Sequence, residues 1–239
     1  LRNEPQFSEG EPNVFADSLG HYLFSLPSKL ILWNWNVDNH NISPETKQAL
    51  QEYLEFNQLK EVRVRYNEYA PFDEWHRLVN NEGVGAGWRY TVGVINWVFY
   101  TIFPGRLFGG DNYNPFTNTI SLYSDLTPVA LHEAGHAKDV AVDNYKGSFA
   151  ALRIIPFYAL RDEAVASTDA ITYADYLRDA ELVRKSYKLL YPAYGTYVGG
   201  ETLAYIPVVR TAGAIIGAIP GHIIGRIKAS NVEEYPEIE

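Results

Sequence analysis

Residues 127–142 read Thr-Pro-Val-Ala-Leu-His-Glu-Ala-Gly-His-Ala-Lys-Asp-Val-Ala-Val. Thr127-Pro128 sets a capping hydroxyl beside a proline at the first helical position, so the stretch predicts a helix running to about Asp143. Val129, Ala130, Leu131, Ala134, Gly135, Ala137, Val140, Ala141 and Val142 leave it apolar or small on nearly every side, which marks a buried helix. Into it are set His132, His136, Asp139 and Asp143, which share a stripe about 60° wide. Such a stripe is costly in a core unless its members are paired or bind something.

His132-Glu133-Ala134-Gly135-His136 is the pattern H-E-x-x-H. Residues four apart lie on one helix face, about 6 Å apart along the axis. Two imidazoles so placed reach one Zn²⁺ at about 2.1 Å. Glu133 sits about 100° round from His132, where it can touch a metal-bound water without being a ligand. The competing reading is a satisfied pair of core histidines with a solvated acidic end.

A catalytic zinc takes a third protein ligand and keeps one position for water. Asp139 lies about 10 Å along the axis from His132, which suits it to accept a ring N–H rather than to ligate. Asp143 is further away. Glu163 is the better candidate. It stands in Arg161-Asp162-Glu163-Ala164-Val165-Ala166-Ser167, and its own helical face continues through Ala166, Ala170, Ala174 and Leu177. A carboxylate on such a face needs a partner, either a metal or an arginine.

With these residues in place the sequence resembles the zincin metallopeptidases, and among them the gluzincin branch, over residues 118–175. The resemblance implies that His132, His136 and Glu163 are zinc ligands and Glu133 the general base. It also implies that strand 119–123 is the edge strand on which an extended peptide lies. Gluzincins often carry Asp four residues after the third ligand; here that position is Ser167, with Asp169 or Asp139 as substitute supports for a ligand histidine. The metzincin pattern fits badly, because Asp139 and Val142 stand where it wants Gly and His or Asp. The implied hydrolysis needs an oxyanion donor. His222, Tyr173, Tyr176, Tyr194 and Tyr197 are the candidates.

Outward from the motif, Ser43-Pro44-Glu45 opens an amphipathic helix over 44–57, and Val62, Val64 and Tyr66 alternate with Arg63 and Arg65 as in a half-buried strand. A short helix is predicted at 73–80, and loops at 81–87, 105–118 and 191–200. Residues 157–190 contain neither Pro nor Gly and read as one long helix. Residues 1–20 read as an extended arm, 21–200 as the main domain, and 201–239 as a helical segment packed on it. Gly213, Gly217, Gly221 and Gly225 recur four apart and form a smooth stripe, which Pro220 should kink. The stripe suits a neighbouring helix of the same chain, a protein partner or a membrane surface.

The chain has 239 residues, 46% apolar and 21% charged, which excludes disorder, collagen and a coiled-coil rod. A net charge of −9 argues against nucleic acid as a partner. The absence of Cys removes disulfides, Cys-ligated zinc and thiol catalysis. A chain that starts at Leu1 reads as a processed product. Its two longest apolar runs, 92–105 and 203–227, read as core or interfacial helices rather than membrane spans, while the abundance of aromatics and the glycine stripe suggest apposition to a membrane or a partner, so an extracytoplasmic or membrane-associated setting is favoured. The expected fold is α+β: a zincin-like core, a small sheet with an active-site helix, plus additional C-terminal helices. The expected function is zinc-dependent hydrolysis of a peptide or protein substrate, with a non-catalytic zincin-fold scaffold or assembly subunit as the alternative.

Overall fold

The alternation at 62–67 and the run at 119–123 fold as the two central strands of one small sheet. The computed structural model describes residues 4–153, 155, 157–202 and 207–236; the start of the apolar run, 203–206, lies outside them. The fold is α+β and mostly helical.

In chain order, β1 (Phe7–Glu9) leads into α1 (Val14–Leu19), a π-helical turn (Gly20–Phe24), α2 (Leu26–Leu32) and α3 (Pro44–Phe56). Then come β2 (Arg63–Tyr66), α4 (Pro71–Asn80), α5 (Ala86–Trp88), α6 (Val94–Ile102) and α7 (Gly105–Phe108). β3 (Asn112–Asn114) and β4 (Thr119–Leu122) precede α8 (Thr127–Val142) and α9 (Lys146–Leu152). α10 (Tyr158–Tyr176), α11 (Ala180–Thr202) and α12 (Pro207–Ser230) complete the chain. The sheet order is β1-β2-β4-β3, with β3 alone antiparallel to its neighbour.

One face of the sheet carries Val64, Tyr66, Ile120 and Leu122 into a core shared with Leu50, Tyr53 and Leu54 of α3 and Leu131 and Ala134 of α8. The other face is polar and also buried. Arg65 donates to Glu74 at 2.9 Å, Glu68 at 2.6 Å and Asp73 at 3.0 Å, while Arg77 of α4 donates to the Thr117 carbonyl at 2.9 Å. The strand expected to be half-buried is therefore buried on both faces. Helix α4 covers its arginines, and paired carboxylates make that tolerable.

Several expectations are corrected here. Residues 1–20 are not simply an arm, since β1 pairs in parallel with β2 and supplies the sheet's outer edge. β4 is not an edge strand; it lies between β2 and β3, and β3 falls in the stretch read as loop. The single helix expected over 157–190 breaks at Arg178 (φ 57°), after which the Asp179 side chain caps α11 through the Leu182 N–H at 2.8 Å. The loop expected at 191–200 is helical, with Pro192 inside α11. Pro220 lies within an unbroken α12.

Glycine contacts account for both helices. A Cβ on Gly217 would lie 2.1 Å from the Gly195 carbonyl oxygen, and one on Gly199 1.9 Å from that of Gly213. Further along, Gly221 meets Pro192 and Gly225 meets Tyr187, so α11 and α12 are antiparallel and their backbones touch. The Gly213/Gly217/Gly221/Gly225 stripe thus faces α11. The glycines that would weaken an isolated helix are what let these two approach.

Candidate metal centre

Helix α8 packs against α3, the sheet and α10. The contact with α10 is close because residue 135 is glycine: a Cβ there would meet the Ala166 carbonyl oxygen at 3.0 Å. That approach brings Glu163, on the buried face of α10, opposite the His132–His136 turn of α8. His132 Nε2 lies 3.1 Å from His136 Nε2 and 3.1 Å from Glu163 Oε2, and His136 Nε2 lies 3.4 Å from Glu163 Oε1. The three side chains offer ligand atoms that all lie within 4.8 Å of one another, so the cluster can hold a metal ion.

The donor set fits such an ion. Two imidazoles and a carboxylate bound tetrahedrally at about 2.0–2.1 Å place their ligand atoms about 3.4 Å apart. Two Nε2 atoms facing each other can share only one proton, and a cation satisfies both.

The surroundings orient both rings. Ser167 Oγ lies 3.2 Å from His132 Nδ1, so the residue that departs from the gluzincin pattern still reaches the ring it should support. Asp162 Oδ2 lies 3.6 Å from His136 Nδ1 and pairs with Arg153 Nε. Arg153 itself comes within 2.9 Å of the same His136 nitrogen. A guanidinium can only donate, so Arg153 gives an N–H to Nδ1 of His136 while the Asp162 carboxylate holds Arg153 in place. Sequence reasoning missed Asp162, although it directly precedes Glu163 on a stretch otherwise rich in alanine. Asp139 and Asp169 are engaged elsewhere, Asp139 with Arg161 at 2.8 Å and Asp169 with Lys138 and the Tyr53 hydroxyl. Asp139 shares the stripe of the two histidines but stands further along α8, where Arg161 takes its carboxylate, and Asp169 lies about 120° round α10 from Glu163.

Charge follows the geometry. Burial works against the Glu163 carboxylate, but hydrogen bonds with His132 and His136 outweigh it and hold its pKa well below the usual range. Burial likewise opposes charge on His136, yet Asp162 and Glu163 raise its pKa. Glu133 makes no bond to either histidine. Burial pushes its carboxyl up to about 8, against the pull of His132 and with a push from Glu163 and Asp111.

The oxyanion candidates separate. His222 stacks on Trp33 and bonds the Ile31 carbonyl at 2.7 Å, in a groove between α2 and α12. Tyr173 and Tyr176 pack with Phe56. Tyr197 alone among them has its pKa raised by the charge of Glu163 first, then by burial and Glu133, so its phenol shares the field of the cluster. No known protein family, curated protein or solved structure matched the chain.

Proposed function

We propose that the chain is a zinc-dependent hydrolase, a metallopeptidase of gluzincin type with Glu133 as general base. The observation that carries this reading is the convergence of His132, His136 and Glu163 on one point, with a second carboxyl, Glu133, buried beside them and bonded to none of them. Zinc suits this N,N,O donor set and, when held there, supplies Lewis acidity that makes water acidic near neutral pH and polarises a carbonyl oxygen. Glu133 accepts the proton of the attacking water and delivers it to the leaving amine. A dication nearby favours its ionised form, which offsets the burial that raises its pKa. Ser167 and, through Arg153, Asp162 hold the two imidazoles in register. Of the tyrosines named as O–H donors for the oxygen that gains charge, Tyr197, 42% exposed, is the one that feels the charge of Glu163 and Glu133. The antiparallel edge strand β3 takes the peptide-binding role that the resemblance assigned to 119–123.

The rival, a non-catalytic body, has one observation in its favour: His132, Glu133, His136 and Glu163 are between 3% and 9% exposed. Zinc analysis and a mixed peptide library separate the two. Wild type should hold one zinc and cleave. Glu133→Gln should keep the metal and lose at least about a hundredfold in rate. Glu163→Ala should lose both. Equal zinc in wild type and Glu163→Ala removes Glu163 from the ligands, and cleavage unaffected by Glu133→Gln ends the peptidase reading.

A further inference from the structure

The glycine stripe of α12 is spent on α11, and the opposite side of α12 is open. Ile215, Ile216, Ile219, Ile223, Ile224 and Ile227 are between 47% and 64% exposed. At about 100° per residue they form one face, turned from the glycines. This face borders an apolar groove of about 420 Å³, walled by Ile215, Ala218 and Ile219 of α12 and by Leu26, Leu30 and Trp33 from α2 and its end. Beyond the groove the apolar surface continues. Phe24 rests on Phe108 at 5.0 Å between ring centres, Phe108 on Phe103 at 5.7 Å, and Phe103 on Phe99 at 6.2 Å. Helix α6 adds Ile95, Val98 and Ile102, all exposed. Lone exposed apolar residues need no explanation, but a run of this extent marks an interaction surface.

Charge says what kind. The chain has 29 acidic residues, yet none falls within 18–37, 83–110 or 212–232, the three separate stretches that build this surface. The charged residues in those stretches are all cations; Lys29 is buried and Arg106 pairs with Asp17, so Arg226 and Lys228 are the exposed ones near the groove. Arg226 stands exposed beside the isoleucine face, over the Trp33 ring at 4.5 Å, and exposed Lys228 flanks the same end of α12 from the α11 side, over the Tyr187 and Tyr191 rings. A protein of net charge −9 thus presents one region that is apolar, aromatic and locally cationic. A protein partner would ask for directional polar groups around the patch; the apolar side of a lipid layer asks for none, and its anionic headgroups complement the flanking cations. Among the described residues no helix is long and apolar enough to cross a membrane. In α12 the apolar stripe runs along one side of a helix packed on its other side, the arrangement of a helix lying in the plane of an interface.

We propose that this surface, made by α12, α2 with the π-helical turn before it, and α6, seats the protein on an anionic lipid bilayer without spanning it. The proposal is independent of the hydrolase reading. Flotation with vesicles tests it on the full chain, comparing phosphatidylcholine alone with phosphatidylcholine containing about one third phosphatidylserine. Wild type should float with the anionic vesicles. Ile219→Glu combined with Ile223→Glu should weaken partition by about tenfold or more while circular dichroism and the unfolding midpoint hold. Arg226→Ala combined with Lys228→Ala keeps the apolar face and should weaken it by about fivefold per cation. Failure to float with either vesicle overturns the proposal. So does equal binding of wild type and both variants. Loss of self-association in the isoleucine variant, seen by sedimentation velocity with no vesicle binding by wild type, also overturns it and makes the face a contact between copies of this chain.

Discussion

The pH dependence of the metal-free protein is where Glu133 can be weighed by itself. Burial raises its carboxyl from an ordinary 4.5 to about 8. Between those values the folded chain holds a proton that the unfolded chain releases, so stability falls as pH rises through this window. Each pKa unit is worth about 1.4 kcal/mol, so at pH 7 the cost is about 3 kcal/mol, nearing about 5 above pH 8. Glu133→Gln removes the ionisation and keeps the shape. In a chelator, the variant should match wild type near pH 4.5 and exceed it by about 3 kcal/mol at pH 7, a rise of roughly 6–12 °C in Tm for a chain of this size. Urea unfolding of both proteins from pH 4.5 to 8.5 supplies the measurement. Added zinc should shrink the difference, because a dication stabilises the carboxylate that burial penalises. A difference that stays flat across the window would falsify the placement of Glu133 in a dry pocket.

Three further outcomes follow from named contacts. Ser167→Ala removes the hydroxyl beside His132 Nδ1 and should weaken zinc binding by about 10–100-fold, while Asp139→Asn leaves it unchanged; competition with a chromophoric chelator reads both. Gly217→Leu drives a side chain into the Gly195 carbonyl and should destabilise by about 3 kcal/mol or more in chemical denaturation, whereas Ile223→Ser on the opposite face should cost under about 0.5 kcal/mol. Arg65→Ala strips the cation from buried Glu74 and should cost about 3–5 kcal/mol, a loss that Arg65→Ala combined with Glu74→Gln partly recovers.

What could be read from the sequence was what local chemistry dictates. Pro128 and the near-continuous apolar run announce α8, but Thr127 does not cap it: Leu126 is the N-cap, and the Thr127 hydroxyl lies 3.1 Å from that of Thr46; Ser43-Pro44 fixes α3, whose cap is the Ser43 hydroxyl. The donor cluster was legible because two of its members share one helical turn and the third stands on a face of alanines. What escaped were elements whose reason lies elsewhere in the chain. β1 and β3 are three residues long, too short for any period, and exist because β2 and β4 offer them an edge. Residues 191–200 have the composition of a loop, and only the facing glycines of α12 make them helical. The break at Arg178 has neither Pro nor Gly to announce it; the signal was the capping side chain of Asp179. Asp162 was invisible as a support because its meaning depends on where Arg153 and His136 meet in space.

The contact at Gly135 has a consequence for ion choice. Two donors ride together on α8, so the bite of the trio is set by how far α10 stands from α8, and the gap at Gly135 acts as a caliper. A methyl group at that point would pry the jaws apart by a few tenths of an ångström. A cation held there would then be a larger, more highly coordinated one rather than a small tetrahedral one, so that one hydrogen atom on a residue that donates no electron pair would gauge the radius of any ion the trio can hold.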